Sequence, residues 1–284
     1  MAARWRARVT SRLLLATAAA VALFLTVAVP AAGGGSAGWS AAAYQKPSHR
    51  GYPWHRRVIA ARRFARRRAG TVSFAVVGER GRLRGLRPRR GFHSASVVKV
   101  MLMVAYLRRM GVRHRRLRAA DRRLLGPMIR RSANGPASTV YGLVGSDALR
   151  RLARAARMRH FQTSPTWGLT WINARDQALF MYRLRRYIPT RHRHYAFHLL
   201  SSIVSWQRWG IPRARLRGWR LYFKGGFVPA AGGWWIHQVA RLRRGDRRLG
   251  VAVLTRGDPS LHYGAETVRG VVARLLRRYN AFHR

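Results

Sequence analysis

The sequence has no cysteine and very little negative charge. Among 284 residues there are 7 Asp and Glu against 58 Lys and Arg, a formal net charge of +51. Without cysteine there can be no disulfide framework, no thiol nucleophile and no lipidated Cys, so the fold must rest on its apolar core. Lysine is scarce as well, since Lys46, Lys99 and Lys224 are the only three and arginine supplies every other cation. Arginine stays protonated in a protein, whereas a desolvated lysine can become a neutral amine and act as a base. A chain that writes its surface in arginine therefore draws attention to its lysines.

Long apolar runs are also missing beyond the N-terminus. Arg4, Arg6, Arg8 and Arg12 precede the apolar stretch Leu13 to Val29, and Pro30-Ala31-Ala32 follows it. That pattern reads as a signal peptide over 1–32, with an uncleaved N-terminal anchor as the other reading. Either one places the body of the protein outside the cytoplasm, secreted or held in the cell envelope. Residues 33–57, with Gly33-Gly34-Gly35, read as a linker. The globular domain is expected over 58–284, and 48% hydrophobic residues supply a sizeable core.

The arginines recur as pairs and triplets in nearly every expected helix, with no basic tail and no Arg/Gly repeat. This distribution describes a solvated cationic surface that adheres loosely to polyanions such as anionic cell-wall polymers. It does not describe a specific nucleic-acid reader.

Periodicity gives a coarse order of elements. A helix over Val58 to Arg68 leads into a strand over Thr71 to Val77 and a hairpin. Helices follow over Ser96 to Met110, Ala119 to Arg130, Ala137 to Val144, Asp147 to Ala156, Ala174 to Arg186 and Thr190 to Gln207. Three strands (Trp219 to Phe227, Trp234 to Leu242, Leu249 to Thr255) and a helix over Ala265 to Arg278 close the chain. The expected class is α+β, an antiparallel sheet of about five strands built from both chain ends and flanked by helices.

Three short motifs lie in order along this frame: Ser96-Val97-Val98-Lys99, Ser132-Ala133-Asn134 and Lys224-Gly225-Gly226. Ser96 opens an apolar helix, where free N–H groups favour negative charge, and Lys99 lies one turn further on the same face. Together the motifs resemble the SxxK, SxN and KTG motifs of serine β-lactamases and penicillin-binding proteins, and the surrounding text looks closest to the class A β-lactamase-related branch. The resemblance implies a β-lactamase/DD-peptidase-like fold with a reduced all-helical lobe. It also implies catalytic roles for Ser96, Lys99, Ser132 and Lys224, substrate binding by Asn134, Gly225 and Gly226, and an oxyanion hole from the N–H groups of Ser96 and Phe227. The substrate expected is a β-lactam or a peptidoglycan-type peptide, the chain a monomer, with no cofactor and no metal.

The departures from the family pattern carry information too. Ala133 stands where Asp is common, and Gly225 stands where Thr or Ser is usual. No carboxylate lies between Asp147 and Asp176, in the region where class A enzymes carry the Glu that activates the deacylating water. Slow release of an acyl group is therefore expected. A catalytically weak cationic envelope or nucleic-acid binding protein on the same scaffold is the alternative. His194 and His198 read as surface histidines, and the tryptophans Trp167, Trp171, Trp206, Trp209, Trp219, Trp234 and Trp235 as core or cleft wall.

Overall fold

A computed structural model describes residues 51–78, 80–214 and 216–279. The proposed signal peptide or anchor and most of the linker lie outside the described residues. The first helix, α1 (Trp54–Arg66), opens four residues earlier than the sequence suggests. Tyr52, just before it, is buried, and its hydroxyl donates to the Leu275 carbonyl at 2.7 Å. This anchor near the C-terminal end of the chain holds the start of the helix in place.

Five strands form one antiparallel sheet: β1 (Thr71–Val77), β2 (Leu83–Leu86), β5 (Arg220–Ala230), β6 (Gly233–Arg244) and β7 (Arg247–Asp258), in the order β2-β1-β7-β6-β5. Strand β1 pairs with β7, from Thr71 opposite Arg256 to Val77 opposite Gly250. The sheet thus joins the two ends of the domain, as expected for α+β. Residues Val72 to Val77 are all buried, because both faces of β1 are covered. Helices α1 and α8 (Leu261–Leu275) pack on one face and α6 (Ala174–Tyr187) on the other. The cap of α6 is Asn173, whose side-chain oxygen accepts from the Asp176 N–H at 2.8 Å.

The remaining helices make a second layer: α2 (Lys99–Leu107), α3 (Met110–Arg113), α4 (Ala119–Arg130), α5 (Asn134–Ala155) and α7 (Arg193–Ser201). Every residue of α2 is buried, which fits its uniformly apolar text apart from Lys99. Gly145 divides α5 with φ 70°, so the two helices expected there run end to end through a kink. Among the described residues no helix is long and apolar enough to cross a membrane.

Three local expectations change. The helix expected from Ser96 begins as a 3₁₀ turn, Ala95–Val98, and α2 proper starts at Lys99. The helix expected over Thr190 to Gln207 stops at Ser201, where the hydroxyls of Ser201 and Ser202 both donate to the His198 carbonyl and cap it early. A small two-stranded sheet, β3 (Gly91–His93) with β4 (Trp171–Asn173), was not expected, and it ties the loop before α6 to the segment leading into Ser96.

Candidate active site

The first motif sits where the chain leaves β3. In a 3₁₀ turn, residues three apart eclipse, so the Ser96 and Lys99 side chains project from the same side. The preceding residue, Ala95, has φ 45°, a left-handed value costly for a residue with a Cβ. Strand β5 presses against this turn. A Cβ on Gly226 would come within 2.7 Å of the Ser96 nitrogen and 3.0 Å of the Val97 nitrogen, so only glycine allows the approach. Phe227, the next residue along this edge strand, is half-buried.

The second motif lies in the short link between α4 and α5. Ser132 has φ 59°, and the Ala133 N–H donates back to the Pro127 carbonyl at 3.1 Å. Asn134 is the first residue of α5. This turn delivers Ser132 and Asn134 to the amine of Lys99, whose Nζ donates to the Ser132 carbonyl at 2.6 Å and to Asn134 Oδ1 at 2.8 Å. The Ser132 hydroxyl is further off, at 3.4 Å.

Lys224 reaches the same hydroxyl from the sheet. Its Nζ donates to Ser132 Oγ at 2.9 Å and to the Gly225 carbonyl at 2.6 Å, with Gln207 Oε1 at 3.5 Å. Both lysines are wholly buried. Burial pushes the Lys99 amine down to about 7. Burial also lowers Lys224 well below the ordinary lysine value, and the nearby charge of Lys99 adds to the effect.

Four of the expected residues, Lys99, Ser132, Asn134 and Lys224, are thus joined by hydrogen bonds. Ser96, half-exposed at the mouth, is not joined to them: Lys99 points its hydrogens at Ser132 and Asn134, and the expected Ser96–Lys99 contact is not made in this state. Lys99 Nζ thus has three acceptors within reach, two of them close.

Sequence reading took Trp167 and Trp209 only as core or cleft wall, and it missed Gln207. Trp167, in the loop before β4, stands over Lys99 with its ring centre 4.6 Å from Nζ, and its indole N–H donates to Ser138 Oγ at 3.1 Å. Its loop is fastened beside the Ser96 turn, since Ser94 N–H donates to the Thr170 carbonyl at 2.8 Å. Gln207 is buried and donates to the Arg131 carbonyl at 2.7 Å, holding the Ser132 turn. Trp209 lies along β5. A Cβ on Gly225 would meet its ring at 2.9 Å, so the indole occupies the space that a Thr or Ser side chain would need. Gln238 fixes this arrangement by donating to the Trp209 carbonyl at 2.8 Å and accepting from the Ile211 N–H at 2.7 Å. Tryptophan types in apolar text gave the only signal, and it did not single out these positions.

The other marked residues lie elsewhere. His194 and His198 are exposed on α7. Trp206 is 63% exposed.

No family model matches the chain, and no curated protein matches it either. Solved structures do. A β-lactamase from Sphaerobacter thermophilus is 22% identical with a TM-score of 0.68, covering 81% of this chain and 99% of that one. A class A β-lactamase from Mycobacterium abscessus is 18% identical with a TM-score of 0.67, covering 79% and 99%. The structure of PBP-A is 14% identical with a TM-score of 0.66, covering 79% and 96%. The chain has the β-lactamase-like α+β fold, shared by class A β-lactamases and PBP-A.

Proposed function

We propose that the protein is an exported serine hydrolase, acylated at Ser96 by a β-lactam or by a D-alanyl-type peptide amide and slow to release the acyl group. One observation carries the reading: two lysines, both buried and both held below their usual basicity, converge on a single serine hydroxyl beside a half-exposed serine. Without carboxylates around them, two buried amines are costly to keep for stability alone. The fold shared with proteins named β-lactamase agrees with it.

In this reading neutral Lys99 takes the Ser96 proton while Oγ attacks the amide carbonyl. The oxyanion that forms is held by the N–H groups of Ser96 and Phe227. The Ser132 hydroxyl gives its proton to the departing nitrogen and is reprotonated from the Lys99/Lys224 pair. Asn134 bonds the substrate amide, Gly226 keeps the strand edge close enough for the substrate to lie along it, and Lys224 attracts a substrate carboxylate. No cofactor or metal takes part. Release of the ester is slow because the loop residue facing Lys99 is Trp167, which cannot act as a base towards water.

Mixing the protein with a fluorescent penicillin and weighing the intact chain tests the proposal. A single adduct that persists is expected, and Ser96→Ala should form none. An unmodified wild-type chain would sink it. That outcome favours a cationic envelope-binding protein on a hydrolase scaffold, a reading that has the indole packed on Gly225 in its favour.

A further inference from the structure

Outside the cleft, Arg241 on β6 stands out because its guanidinium is buried without a carboxylate partner. The residue is only 6% exposed. One of its N–H groups donates to the Tyr182 carbonyl, and among the described residues its side chain makes no ion pair. The acids Asp121, Asp147, Asp176 and Glu266 are each paired with other arginines. Asp258 is buried against Thr255. Burial, with the like charges of Arg248 and Arg243 behind it, lowers the Arg241 guanidinium to about 10.

Strand register builds a cation cluster here. Arg241 faces Tyr222 across the β5–β6 ladder, and Arg243 faces Arg248 across β6–β7. Arg241 and Arg243, two apart on one strand, share a face of the sheet. With Arg185 from the last turn of α6 they line a cleft of about 290 Å³, whose only acid is Asp246, exposed on the β6–β7 turn. Phe197 and Tyr222 wall the cleft, with ring centres 4.7 Å apart.

We propose that this cleft binds a phosphoryl oxyanion. Four guanidinium groups meet one carboxylate, so a multiply charged anion would relieve repulsion that the protein itself leaves unbalanced. Guanidinium forks converging from three elements suit an anion with several oxygens, and each fork can give paired bonds. The site stands independently of the chemistry at Ser96.

The full chain is titrated with inorganic phosphate, and separately with dimethyl phosphate, at constant ionic strength, following the ³¹P signal and the heat released. Saturable binding of one anion per chain is expected. Arg243→Ala/Arg248→Ala, which changes two exposed side chains, should weaken it by about 10-fold or more. Arg241→Lys should weaken it as well, since the charge stays and the fork is lost. A control pair on α1, Arg56→Ala/Arg63→Ala, should leave affinity unchanged. Tighter binding of phosphate assigns the site to a terminal phosphate, and tighter binding of dimethyl phosphate assigns it to a phosphodiester. Saturation by neither, or equal weakening in the control pair, overturns the proposal.

Discussion

Lys99 has a pH-dependent role because its surroundings hold its amine near neutrality. In the role proposed for it, as the base for Ser96, it would work only when unprotonated, so acylation should rise as the pH climbs through about 7 and then level off. Stopped-flow mixing with a chromogenic β-lactam over that range checks this. Lys99→Arg keeps the charge but can never give it up, and it should slow acylation on the order of 10² to 10⁴-fold. The same residue sets a stability cost. Its folded value lies below that of an unfolded lysine, about 10.4. Between the two, the unfolded chain holds a proton that the folded chain has shed, so stability should rise with pH across this window and be lost as pH falls towards 7. Lys99→Met should flatten that rise and stabilise the neutral protein by about 1 to 3 kcal/mol, seen as a higher urea midpoint.

At the scale of elements, the edge strand β5 and the segment carrying Trp209 act as one unit. Gly225→Thr would place a Cβ 2.9 Å from the indole and should cost about 1 to 3 kcal/mol by crowding. Trp209→Ala in the same chain should offset part of that loss, so the double variant should unfold more easily than wild type by clearly less than the sum of the singles. Thermal melts of the four proteins measure the coupling. The long strands were legible from their apolar centres, Trp234 to Leu242 and Leu249 to Thr255, with a hairpin turn at Gly245 between them, though each runs on to 12 residues through charged ends. Strands β3 and β4, three residues each, carry too little pattern to read. Lys99, Ser132, Asn134 and Lys224 were legible as motifs. Gln207 was not, and Trp209 was legible only as core or cleft wall, because their place beside Ser132 and Gly225 is set by contacts between segments distant in sequence.

For the whole molecule, charge dominates. With +51 spread over one chain, and four of its seven acids already paired with arginines, self-repulsion opposes compactness. Raising sodium chloride from about 10 mM to about 300 mM shortens the screening length to a few ångström and should raise the melting temperature, the reverse of a protein held by ion pairs. Differential scanning calorimetry reads the shift directly, and a melting point that falls with salt would show that attractive pairs outweigh the repulsion. The class of fold was legible because both chain ends supply strands while the middle is helical, an order that survives an unusual surface composition.

The indole of Trp167, above the Lys99 amine, also makes the site optically self-reporting. Anything entering beside it changes the polarity around a native fluorophore, so occupancy can be followed by emission from unlabelled protein, with Ser96→Ala separating mere entry from bond formation.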